Sequence, residues 1–149
     1  EANKLFNKAI LINHLSDQLL LELGTSLRKE GLLNESLAIL KKGIKSYPKN
    51  QYILFELGVT YSQLNKNNDA INNFNNAIDA GFKNSYCPYE GLGITYYKLG
   101  HLNKSKQMFE KALQLNPLLN LSKEKLEETY LRNQSLNKNI SKILIQIKT

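Results

Sequence analysis

In Leu54-Phe55-Glu56-Leu57-Gly58-Val59-Thr60-Tyr61, a glycine interrupts a helical pattern in which Leu54, Leu57 and Tyr61 fall at i, i+3 and i+7. Gly58 lies on the same helix face as those three residues. A glycine inside a helix costs about 1 kcal/mol relative to alanine. Its place on an apolar face therefore calls for a compensating gain, most simply the close approach of a second helix. The arrangement occurs twice more, at Leu20, Leu23, Gly24 and Leu27 and at Tyr89, Leu92, Gly93 and Tyr96, so the glycines are spaced by 34 and then 35 residues. A period in this range marks a repeat architecture, whose units bury their apolar faces only against one another.

Twelve residues beyond the glycines stand Ser36, Ala70 and Ser105, followed by Leu40, Phe74 and Phe109, then by Gly43, Ala77 and Ala112. Small, large, small at this spacing is one stripe of a second helix, which docks against the glycine face of the first. Gly31, Asn65 and Gly100 lie between the two helices and belong to the types that adopt a left-handed backbone and end helices. Asn34, Asn68 and Asn103 follow three residues later and are expected to cap the second helices, since asparagine accepts from the unpaired amides of a first turn. Pro48 and Pro117 close the first and third units; the middle unit has Gly81-Phe82 instead, with Ser85 supplying the extra residue.

These residues resemble the tetratricopeptide repeat (TPR) family, whose pattern over 34 residues runs aromatic or leucine, Leu-Gly, Tyr, Ala, Phe, Ala, Pro. The resemblance covers residues 17–119. The middle unit carries it through Leu54, Leu57, Gly58, Tyr61, Ala70, Phe74 and Ala77, and the third through Tyr89, Leu92, Gly93, Tyr96, Phe109, Ala112 and Pro117. Tryptophan is absent, and Ser36, Leu40 and Gly43 make the first unit the loosest match. The resemblance implies an all-α fold, a right-handed superhelix of stacked antiparallel helix pairs.

The expected organisation is a single array. Residues 1–16 form the second helix of a truncated repeat, in which Ala2, Phe6 and Ala9 repeat the small-large-small stripe. Residues 17–50, 51–85 and 86–119 are full repeats, and 120–149 are a degenerate repeat or capping helices. An opening in mid-repeat, at Glu1, suggests a segment of a longer polypeptide or a product of processing. In the last frame Leu126 and Tyr130 keep the expected face while Glu127 replaces the glycine. Leu136, Ile140, Ile143, Leu144 and Ile147 then recur at helical spacing, with Lys138, Lys142 and Lys148 among them. Either this is a closing helix pair with a polar outer face, or 136–148 is a detachable amphipathic helix that occupies the protein's own groove or a membrane surface.

Composition bounds the function. No apolar run approaches the roughly 18 residues of a membrane-spanning helix. The net charge of +7 is nearly all lysine, with only Arg28 and Arg132, and Lys41, Lys42, Lys45 and Lys49 cluster at one helix end, where they complement the helix dipole. Nucleic acid is the less favoured partner on this pattern. Cys87 has no second cysteine with which to form a disulfide or a metal motif, and His14 and His101 lack acidic or sulfur neighbours at ligand spacing. A phosphate loop, a nucleophile elbow and a metal cluster are all missing, so the chain is expected to be noncatalytic and to need no cofactor.

In the TPR family the first helices line a concave face. That implication falls here on Gln18, Leu21, Thr25, Arg28 and Lys29 in the first unit; on Tyr52, Phe55, Val59, Ser62 and Gln63 in the second; and on Cys87, Glu90, Ile94, Tyr97 and Lys98 in the third. Leu21, Phe55, Val59 and Ile94 are not needed for the intra-repeat stripe and are expected to give the groove an apolar floor. Some TPR domains hold the acidic tails of chaperones with a lysine and asparagine clamp. At the corresponding places this chain has Leu21, Thr25, Glu56, Cys87 and Gly91, and a frame one repeat later recovers only Lys125. The expected ligand is a partly apolar peptide or partner segment, with Tyr52 and Tyr97 as anchors and Arg28, Lys29 and Lys98 favouring acid at its edge. Two rivals are a scaffold segment that positions substrate for a larger enzyme or assembly factor, and self-association through the N-terminal half-repeat.

Overall fold

The computed structural model describes residues 16–148, with side chains described as far as residue 141. The stripe of Ala2, Phe6 and Ala9, His14, and the side chains of Lys142, Ile143, Leu144, Ile147 and Lys148 lie outside the described residues. Seven α-helices occur among them: α1 (Asp17–Lys29), α2 (Leu33–Ser46), α3 (Gln51–Gln63), α4 (Asn67–Asp79), α5 (Cys87–Lys98), α6 (Leu102–Leu115) and α7 (Asn120–Lys148), with a 3-10 turn at Phe82–Asn84. The chain divides into two compact units between Asn84 and Ser85. In the first, α1 pairs with α2 and α3 with α4, and α3 also packs on α1 and α2. In the second, α5 pairs with α6, and α7 packs on both.

Each pair closes where the sequence places its glycine. A Cβ on Gly24 would stand 2.5 Å from Leu40 Cδ2, one on Gly58 2.6 Å from Phe74 Cδ1, and one on Gly93 2.7 Å from Phe109 Cδ1. Leu40, Phe74 and Phe109 are fully buried in these contacts, so the loss of helix propensity is offset by close packing of large side chains. Serine at the small position adds a hydrogen bond: Ser36 Oγ donates to the Gly24 carbonyl at 2.8 Å and Ser105 Oγ to that of Gly93 at 2.9 Å. Two residues past the glycine frame, Thr60, Thr95 and Thr129 are also buried. Their hydroxyls donate one turn back, to the carbonyls of Glu56, Gly91 and Lys125 at 2.7 to 2.8 Å, which satisfies a polar group that burial would otherwise penalise.

The connections within pairs are three copies of one motif. Gly31, Asn65 and Gly100 have φ of +79°, +56° and +75°. Their amides donate to Arg28, Ser62 and Tyr97, and those of Leu32, Lys66 and His101 donate to Leu27, Tyr61 and Tyr96. This Schellman arrangement satisfies the last carbonyls of the first helix. It also corrects the capping expectation. The second helices begin at Leu33, Asn67 and Leu102, one residue before Asn34, Asn68 and Asn103, and the residues at their N-caps (Leu32, Lys66 and His101) make no side-chain cap bond. The left-handed residue turns the chain so sharply that the next helix opens before the asparagine is reached. Side-chain capping is found instead at the first helices, where Ser16 Oγ accepts from Leu19 and Asn50 Oδ1 from Tyr52 and Ile53.

The last element also differs from expectation. Residues 120–148 form one unbroken helix, neither a helix pair nor a separate helix at 136–148. No glycine or proline occurs in the segment to stop it. None of the described helices is long and apolar enough to cross a membrane.

Candidate functional site

In the first unit, α1 contributes half-buried Leu21 and Thr25 and exposed Gln18 and Lys29. From α3 come half-buried Phe55, Val59 and Ser62, together with exposed Tyr52 and Gln63. The aromatic residues form a connected set: the Phe55 ring lies 5.9 Å from Phe74 and 5.9 Å from Phe82, and Tyr52 stands edge-on to Phe82 at 5.0 Å. Phe55 therefore leans on the second-helix phenylalanine of its own repeat, contrary to the expectation that it is surplus to the intra-repeat stripe. Phe82, which sequence reasoning did not select, holds Tyr52 in place while that residue stays 52% exposed. The available signal was the aromatic residue after Gly81, at the point where the other units have proline.

Two charges of this face pair with each other. Arg28 Nε donates to Glu56 Oε2 at 2.9 Å, with the two side chains only 15% and 14% exposed. The guanidinium expected to favour acid at the groove edge is thus neutralised by the chain's own carboxylate. Asn50, the cap of α3, also donates to Asp17 Oδ2 at 2.9 Å, which ties the starts of α1 and α3 together.

In the second unit, α5 presents half-buried Cys87, Glu90, Ile94 and Tyr97 and exposed Lys98. Glu90 accepts from Ser122 of α7 at 2.6 Å. The Tyr97 ring carries Lys125 Nζ at 5.9 Å and the Arg132 guanidinium at 5.4 Å, so α7 completes the α5 face in a way the sequence reading did not foresee. Lys125 is itself bonded to both oxygens of Glu128, at 3.0 and 2.9 Å. This bond, helped by one from the Tyr97 side chain, holds the Glu128 carboxyl below the ordinary glutamate range, although partial desolvation opposes it. A depressed carboxyl stabilises the fold above its unfolded value, and the contribution is lost as the pH falls through the folded value. Carboxyl titration followed by NMR should place the Glu128 midpoint below the ordinary glutamate range, and Lys125→Met should return it to that range.

Helix pairs closed on a glycine, joined by one repeated turn and open on their first-helix faces, define a helical-repeat protein. Residues 52–80 and 88–119 match models of the tetratricopeptide repeat, and the chain belongs to that family. It is 32% identical over 120 residues to a TPR repeat-containing protein, MJ1428, of Methanocaldococcus jannaschii; the match takes in 76% of this chain and only 20% of that protein. Among solved structures, the first TPR domain of human RPAP3 is similar at a TM-score of 0.77 with 22% identity, covering 82% of this chain and 95% of that domain. The first TPR of Spaghetti (RPAP3) bound to the HSP90 peptide SRMEEVD is similar at 0.74 with 23% identity, covering 85% and 99%. MamA is similar at 0.81 with 20% identity, covering 91% and 79%. These likenesses extend the all-α, TPR-solenoid fold to the chain.

Proposed function

We propose that the chain is a noncatalytic protein-interaction module that takes a partly apolar peptide or partner segment on its first-helix faces. The observation that supports this reading is Tyr52. A large amphipathic side chain, half exposed and held edge-on by Phe82, is the kind of rigid anchor that dominates binding surfaces. Leu21, Val59 and Phe55 are half-buried apolar residues of the same first helices. An acidic tail such as the SRMEEVD bound by the Spaghetti domain fits poorly. Arg28 is paired with Glu56 and Lys125 with Glu128, so a carboxylate drawn to either cation would have to break an existing pair.

Selection from a random peptide library should enrich aliphatic and aromatic segments over acidic tails. Tyr52→Ser should weaken the selected peptides at least about tenfold, or about 1.4 kcal/mol, with the helical circular dichroism unchanged. SRMEEVD should show no saturable binding up to about 1 mM. Tight binding of SRMEEVD, or full affinity in the Tyr52 variant, would refute this assignment.

A further inference from the structure

The two arginines of the chain meet opposite fates. Arg28, in the first unit, is mostly buried and neutralised by Glu56. Arg132, on α7 in the second unit, is exposed, with its guanidinium carbon 5.4 Å from the centre of the Tyr97 ring. It makes no ion pair or hydrogen bond with another described side chain. Glu128 stands one turn before it, where an i, i+4 pair could form. Both oxygens of that carboxylate are instead taken by Lys125, at 3.0 and 2.9 Å.

The other acids near Arg132 do not compensate it. On α7, Glu124 lies about 12 Å earlier along the axis and Glu127 falls on a face about 140° away. Glu90, on α5, lies about 10 Å before Tyr97 and accepts from Ser122. Glu110 of α6 accepts from Tyr130, on the other side of α7. The cations only add to the field. Lys98 follows Tyr97 at the end of α5, and from residue 129 onward the sequence has no acid while Arg132, Lys138, Lys142 and Lys148 are basic. Next to this positive end the surface is apolar: Ile94 and Tyr97 are half-buried on α5, and Leu131 is 60% exposed on α7.

We propose that Arg132 is a specificity-determining residue of the second unit, receiving the carboxylate of one aspartate or glutamate set among apolar residues of the bound segment. The assignment rests on the reading of the first-helix faces as a peptide surface. Charge complementarity selects the occupant, since an uncompensated guanidinium in a positive field favours an anion. Arginine also offers a planar fork of donors that fits both oxygens of a carboxylate. Contact with the Tyr97 ring restrains it, which lowers the entropy lost on pairing. Glu128, on the same stretch of α7, would repel a polyanion laid along it, whereas a lone carboxylate beside apolar groups avoids that cost. One unpaired cation takes one carboxylate, so a tail carrying several gains little.

A random peptide library selected on the 149-residue chain should yield binders with aspartate or glutamate at one fixed position among aliphatic and aromatic residues. Arg132→Gln should weaken such a peptide by about fivefold or more, with the helical circular dichroism unchanged because the side chain is exposed. Arg132→Lys should recover only part of the loss. Raising NaCl from about 50 to about 500 mM should weaken the wild-type complex more than the Arg132→Gln complex. Arg132→Glu should reverse the preference, binding the peptide better once its acidic residue is replaced by lysine; a merely structural arginine would produce no such inversion. Selected peptides without an acidic position, or with equal affinity for Arg132→Gln, overturn this assignment and leave the peptide surface standing. A chain that selects no peptide overturns both. Saturable, Arg132-dependent binding of phosphatidylserine vesicles or of an RNA oligonucleotide, without acidic preference among peptides, also overturns it.

Discussion

Phe74→Ala should lower the stability of the protein by about 3–5 kcal/mol, read as a shift of the urea midpoint. Phe74 is 1% exposed and meets Gly58 across the α3–α4 contact, so its removal leaves a cavity that two helices joined by a short turn cannot close. The reciprocal change tests the reason for the glycine. An alanine Cβ at Gly58 would lie 2.6, 2.7 and 3.0 Å from three ring atoms of Phe74. That ring is wedged and cannot swing aside. Overpacking costs about 1–3 kcal/mol and the helix-propensity gain returns about 1 kcal/mol, so Gly58→Ala should be a net loss of up to about 2 kcal/mol. In the Phe74→Ala background the sign should invert, because the clash is gone while the propensity gain remains. Stabilisation by Gly58→Ala in the otherwise native chain would show that close approach is not what the glycine provides.

The second large effect concerns Arg28 and Glu56. Arg28→Met should cost about 3 kcal/mol, since it leaves the Glu56 carboxylate mostly buried without its partner. Arg28→Met combined with Glu56→Leu should recover most of that loss, because two apolar groups of similar volume restore packing without a stranded charge. Equal instability of the single and double variants would mean that Arg28 acts through its methylene stem alone. The pair bears on function too. By consuming a cation on the first-helix face, it supports the proposed preference for apolar over acidic segments.

Much of this was legible in the sequence. Leu-Gly, the small-large-small stripe and the left-handed turn residues depend only on spacing along the chain, and helical geometry converts spacing into a shared face. The asparagines do not cap the second helices because the three Schellman turns supply their own hydrogen bonds and start the next helix early. The unbroken α7 could have been read from the lack of glycine and proline in residues 120–148, but the repeat period suggested a turn there.

The candidate surface was less legible. Tyr52 was selected for its position in the frame, whereas its support came from Phe82, thirty residues away in a connection outside any helical pattern. Arg28 and Glu56 stand in different repeats and meet only because α1 and α3 pack side by side. The sequence by itself determined the repeat, its period and the closure of each helix pair, because those follow from periodicity on one chain segment. Which charges are neutralised and which aromatic is held at the surface were decided only by tertiary structure, since each depends on distances between segments that no local pattern encodes.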